Sequence, residues 1–78
     1  MKIYYITVIA HYNHKETIDY YFDNKEIAKK YIENIISNLN KVNEIEVKRY
    51  PEESTYHIRN EKELNHVYRI HELNKFLD

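Results

Sequence analysis

The sequence predicts an α+β domain of order β-β-α-β-β-β, an antiparallel sheet with one amphipathic helix packed on one face. Three observations predict it: an opening strand apolar or aromatic on both sides, a single long stretch with helical periodicity, and later stretches with strand alternation. The 78 residues show no internal repeat and no linker, so residues 1–78 are read as one domain. That is near the size at which a single core gives only marginal stability.

The first strand runs over residues 2–10. Successive strand side chains point to opposite sides. Tyr4, Ile6, Val8 and Ala10 therefore share one face, and Ile3, Tyr5, Thr7 and Ile9 share the other. One helix can cover one face. The second must be roofed by another copy, covered by a partner, or left as a tyrosine-bearing platform. Residues 17–22 form strand two, with Ile18, Tyr20 and Phe22 on the helix side and Thr17, Asp19 and Tyr21 opposite. The polar linker between the two strands is short, which predicts an antiparallel hairpin with its tip near Asn13 and His14.

Asp23 offers an N-cap, with Glu26 three residues later in a capping-box spacing. From there a helix runs to about Leu39. Ile27, Ala28, Tyr31, Ile32, Ile35, Ile36 and Leu39 fall on one half of the helical wheel. The asparagine-rich stretch 38–43 ends it. Strand three covers residues 44–50, with Ile45 and Val47 inward. After a turn over 51–54, strand four covers 55–59, with Tyr56 and Ile58 inward. Residues 60–65 are a loop or one helical turn. Residues 66–73 do not gather their apolar members on one helical face, and their Val, Tyr and Ile content predicts strand five.

Composition excludes several classes. Glycine is absent, which rules out a phosphate-cradling P-loop and a dinucleotide fingerprint. Positions that need a positive φ are expected to fall to asparagine. Cysteine is also absent, which rules out disulfides and thiol chemistry and fits a reducing cytoplasm. No apolar run approaches the roughly 20 residues of a membrane span, and the chain opens directly on a strand without a signal-peptide pattern. A cytoplasmic protein is expected, with no membrane partner. Lys and Arg number 12 against 13 Asp and Glu, a net charge of -1. That is neither the basic footprint of a nucleic-acid binder nor the acidity of a DNA mimic. Five histidines make this balance depend on pH.

His11 and His14 in the hairpin loop fall short of the three or four ligands a metal site needs. No metal or cofactor is expected. His57 with Glu52, Glu53 or Glu72 would make a general acid–base pair. Arg49, Arg59 and Arg69 would make an anion site beside it if strands three to five are neighbours, the equipment of a small endoribonuclease. Cross-strand pairing of these arginines with Glu44, Glu46 and Glu72 is the simpler reading, so no catalytic residues are assigned. The nine tyrosines exceed what a core of this size holds. Tyr4, Tyr20 and Tyr31 fit the core. Tyr5 and Tyr21, with Thr7 and Ile9, form a patch on the opposite face. Such a patch suits a protein interface or the stacking of single-stranded bases. Stacking platforms come with a basic groove, which this face lacks, and it carries Asp19, which favours protein or self-association over nucleic acid.

The tyrosine-rich opening from Met1 to Val8, the single amphipathic helix and the terminal segment from Val67 to Leu73 together resemble small accessory proteins of bacteriophages, anti-CRISPR proteins among them. The resemblance implies an inhibitor that binds a host nucleic-acid-processing or defence protein in the host cytoplasm. The expectation is a homodimeric, non-catalytic binding protein with partner-binding residues Tyr5, Thr7, Ile9, Tyr21, Arg49, Arg59 and Arg69. A nucleic-acid or nucleotide binding module and a small endoribonuclease are the alternatives.

Overall fold

A computed structural model describes residues 2–10, 15–61 and 64–74, with the Asp19 side chain excepted. Five strands and one long helix follow one another as β1 (Lys2–Ile9), β2 (Lys15–Phe22), α1 (Lys25–Val42), β3 (Glu46–Tyr50), β4 (Thr55–Arg59) and β5 (Asn65–Asn74). The predicted α+β order holds. The hairpin tip and the two histidines 11 and 14 lie outside the described residues.

The strands form one antiparallel sheet in the order β2-β1-β5-β4-β3. β5 is therefore central. It lies against β1 from Lys2 opposite Asn74 to Ile9 opposite Val67, and against β4 from Thr55 opposite Arg69 to Arg59 opposite Asn65. The β1–β2 register shifts between Tyr5 and Thr7, a bulge that lets Tyr5 face Tyr21 and Thr7 face Thr17.

α1 covers one face only. Its buried residues, Ala28, Ile32 and Ile36, recur every fourth position, the spacing of one helical stripe. They meet Ile6, Tyr56, Ile58, Tyr68 and Ile70 from the sheet, with Tyr4, Val8, Ile18, Phe22 and Val47 packed around them. The buried tyrosines are thus Tyr56 on β4 and Tyr68 on β5. Tyr4 and Tyr31, assigned to the core from sequence, are half-buried at its rim, and Tyr20 is exposed against Tyr31. Ile27, on the predicted apolar half, is exposed as well.

The helix starts one residue later than predicted and ends three later. Asn24, not Asp23, is the N-cap: its Oδ1 accepts from the Glu26 amide at 2.7 Å. At the other end the Asn43 amide donates to the Leu39 carbonyl at 2.9 Å from an extended backbone, so no left-handed cap is used. The positive φ that was expected of an asparagine falls on Ser54 instead (φ 51°, ψ 41°). Ser54 closes the short 3-10 turn Pro51–Glu53, its amide donating to the Pro51 carbonyl at 3.2 Å. Its carbonyl accepts from the Ile70 amide at 2.9 Å, which ties the turn to the central strand.

Candidate functional site

Among the described residues no helix or strand covers the face away from α1. Residues opposite each other across an antiparallel pair share a face, so the registers give its rows directly. One row is Tyr21, Tyr5 and His71. The next is Thr17, Thr7, Arg69, Thr55 and Tyr50. A third is Lys15, Ile9, Val67, His57 and Lys48, a fourth holds Asn65, Arg59 and Glu46, and beyond the Tyr5 row Ile3 stands opposite Leu73.

At one corner the rings cluster. The His71 ring stacks on Tyr5 with centroids 4.8 Å apart and planes 13° from parallel. Tyr21 sits on the far side of Tyr5 at 6.5 Å, tilted by 59°. Thr7, buried between its neighbours, is 2.7 Å from His71 Nε2 through Oγ1, in a hydrogen bond whose direction follows the imidazole tautomer. Burial first, then the charges of Arg69 and Lys15, push the His71 imidazole below its ordinary value of 6.5.

Arg69 lies near the middle of the face, and the turn before β4 orients it. Thr55 donates its hydroxyl to the Glu53 carbonyl at 2.9 Å, which leaves the oxygen to accept from Arg69 Nε at 3.1 Å. The partner Arg69 meets among the described residues is thus a neutral oxygen. Arg59, on the same face, is instead neutralised by Glu46 through Nε at 2.9 Å. That hydrogen bond is the main cause holding the Glu46 carboxyl below its ordinary range.

Six of the seven sequence-predicted partner-binding residues share this face: Tyr5, Thr7, Ile9, Tyr21, Arg59 and Arg69. Arg49 does not, which corrects the proposed three-arginine cluster. It lies on the helix side of β3 and grips Glu33 of α1 with two hydrogen bonds, Nε to Oε2 at 3.0 Å and Nη2 to Oε1 at 2.7 Å. Strand alternation could have shown this, because Arg49 is two residues from the inward Val47. Arg59 and Arg69 are also apart, since the registers set Arg59 opposite Asn65, four residues along β5 or about 13 Å from Arg69.

The acid–base pair does not assemble either. His57 Nε2 and Asn65 Oδ1 lie 2.7 Å apart. Glu72 is on the helix side of β5, beside Tyr4 and Lys2. Glu52 and Glu53 lie in the turn. Lys15, Lys48, Thr55 and Tyr50, outside the predicted partner-binding set, share the face, as does His71. Their signal was alternation, but it becomes usable only once the strand order is known.

Among the described residues no group of three or more metal-capable side chains gathers. No helix among them is long and apolar enough to cross a membrane. Comparison with protein-family models, with curated proteins and with solved structures finds no match to this chain.

Proposed function

We propose that the protein acts by stoichiometric binding through the helix-free sheet face, in a cytoplasm. It would block a nucleic-acid transaction by occupying one of its participants, as the likeness to phage inhibitors suggests. One observation carries this reading. A single helix covers one side of a five-stranded sheet, while the other side keeps Ile9, Tyr21 and Tyr50 exposed around a central arginine. Aromatic and aliphatic side chains left exposed on an uncovered face suit an interaction site. A sheet holds such side chains in fixed positions, so less conformational freedom is lost when a partner docks.

The polar groups on the face hold one another rather than forming a catalytic pair. Thr7 engages His71, Thr55 engages Arg69, and His57 engages Asn65. A general acid or base needs a partner that tunes and aims it, and the carboxylate of Glu46 is taken up by Arg59.

Hydroxyl-radical footprinting of the protein, alone and mixed with extract of its host cell, tests the reading. Tyr20 and Tyr21 are adjacent and comparably exposed, at 60% and 68%, but lie on opposite faces. Binding through the proposed face protects Tyr21 and leaves Tyr20 reactive. Protection of Tyr20 alone, or of neither ring, would overturn the proposal.

A further inference from the structure

We infer that the occupant of the helix-free face is a single strand of nucleic acid, its bases stacking on the exposed Tyr21 and Tyr50 and its phosphates drawn to Arg69, Lys15 and Lys48. This rests on the reading that the face is the working surface, and adds the chemistry of what it holds.

The chain as a whole carries a net charge of -1. The described side chains on this face nevertheless include four cations, Lys15, Lys48, Arg59 and Arg69, against the single carboxylate of Glu46. Glu46 and Arg59 cancel. Among the described side chains this leaves Lys15, Lys48 and Arg69, with Arg69 on the central strand between the two edge-strand lysines, the electrostatic complement of a phosphate backbone.

Rings are interleaved with these cations. Tyr21 lies one row along and two strands across from Arg69, about 12 Å away. Tyr50 shares the row of Arg69 two strands away, about 10 Å across the sheet. Stacking on aromatic rings with cations alongside is how single strands are held without sequence preference, because every base offers a π-face. In a duplex those faces are already stacked and closed to the protein.

The same charges weigh against the other occupants. A second copy placed symmetrically would set this face against itself, bringing Arg69, Lys15 and Lys48 against like charges, which costs association free energy. A protein partner would have to bring its own carboxylates to the Arg69 region.

Fluorescence anisotropy tests the inference, with fluorescein-labelled 12-mers of deoxythymidine and of uridine and a 12-base-pair duplex as probes. The single strands should bind more tightly than the duplex. Three phosphate contacts give a log–log salt slope of about -2, so affinity should fall about 15-fold to 20-fold between 50 and 200 mM salt. Arg69→Ala and Tyr21→Leu should each weaken binding by about tenfold, and Arg49→Ala should leave it unchanged, with thermal melts confirming that all variants fold. Failure of the folded protein to bind either strand at 50 mM salt would overturn the inference, as would equal binding of the duplex. If Tyr21 is still protected in host extract, the face stands as a binding surface. Light scattering then separates a protein partner from a second copy. If Tyr21 is not protected, the surface itself is misassigned.

Discussion

His71 and Tyr5 stand directly opposite each other in the β5–β1 register and stack with centroids 4.8 Å apart. The C-terminal strand therefore completes a surface begun by the N-terminal strand, 66 residues earlier in the chain. Thr7 fixes the imidazole from beneath through its 2.7 Å contact with Nε2. An aromatic shelf results, with Arg69 next along β5 on the same face.

The His71 environment makes a pH prediction. Burial, then Arg69 and Lys15, hold its folded pKa below 6.5, the ordinary value. As pH falls below 6.5 the unfolded chain takes up the proton first, so stability declines until the folded ring also protonates. His71→Gln should remove this part of the pH dependence. Urea midpoints at pH 7.5, 6.5, 5.5 and 5 check it, and an unchanged slope would contradict the assignment.

Ile32 is fully buried on α1, against the sheet. Ile32→Ala should cost about 2–5 kcal/mol, a large part of the stability a domain of this size can hold. Chemical denaturation should show the variant unfolded or nearly so. A loss below about 1 kcal/mol would mean that the helix is not seated as described.

Ser54 is held in the left-handed region, where an L-residue with a Cβ pays about 1–2 kcal/mol. Glycine removes that cost and returns about 0.5–1 kcal/mol of it as backbone entropy. Ser54→Gly should therefore raise the thermal midpoint slightly, while Ser54→Val should lower it. A lower midpoint for the glycine variant would place the Ser54 hydroxyl, rather than the turn geometry, in the stabilising role.

Arg49 and Arg69 should behave differently when truncated. Arg49 links β3 to α1 through Glu33, with both side chains partly exposed. The paired guanidinium, chiefly through its hydrogen bonds, holds the Glu33 carboxyl below its ordinary 4.5. That contribution is present above pH 4.5 and is lost as pH falls through the folded pKa. Arg49→Ala should cost at most about 1 kcal/mol at neutral pH, read from urea midpoints, and should leave ligand binding intact.

Local pattern carried much of the fold. The isoleucine and alanine spacing of α1 and the two-sided apolar character of β1 set the element order, because both depend on residues close in sequence. The helix ends were less legible. Asp23 and Asn24 are equally good N-caps, and with no glycine or proline between Leu39 and Val42 nothing local stops the helix at Leu39. Strand order was not legible, because it depends on β5 inserting between β1 and β4, a pairing over the length of the chain. The basic character of the open face went unread for that reason: Lys15 and Lys48 join Arg69 only through the assembled registers. Arg49 was legible from alternation with Val47 but was grouped by residue type instead.

If the helix-free face is the working surface, an amide NMR titration with the 12-mer of deoxythymidine shows it most directly. The predicted result is that Tyr5, Thr7, Tyr21, Arg69 and His71 shift together, while the lysines of α1, Lys25, Lys29, Lys30 and Lys41, stay in place. Shifts confined to those helix lysines, with the sheet face unmoved, would contradict it.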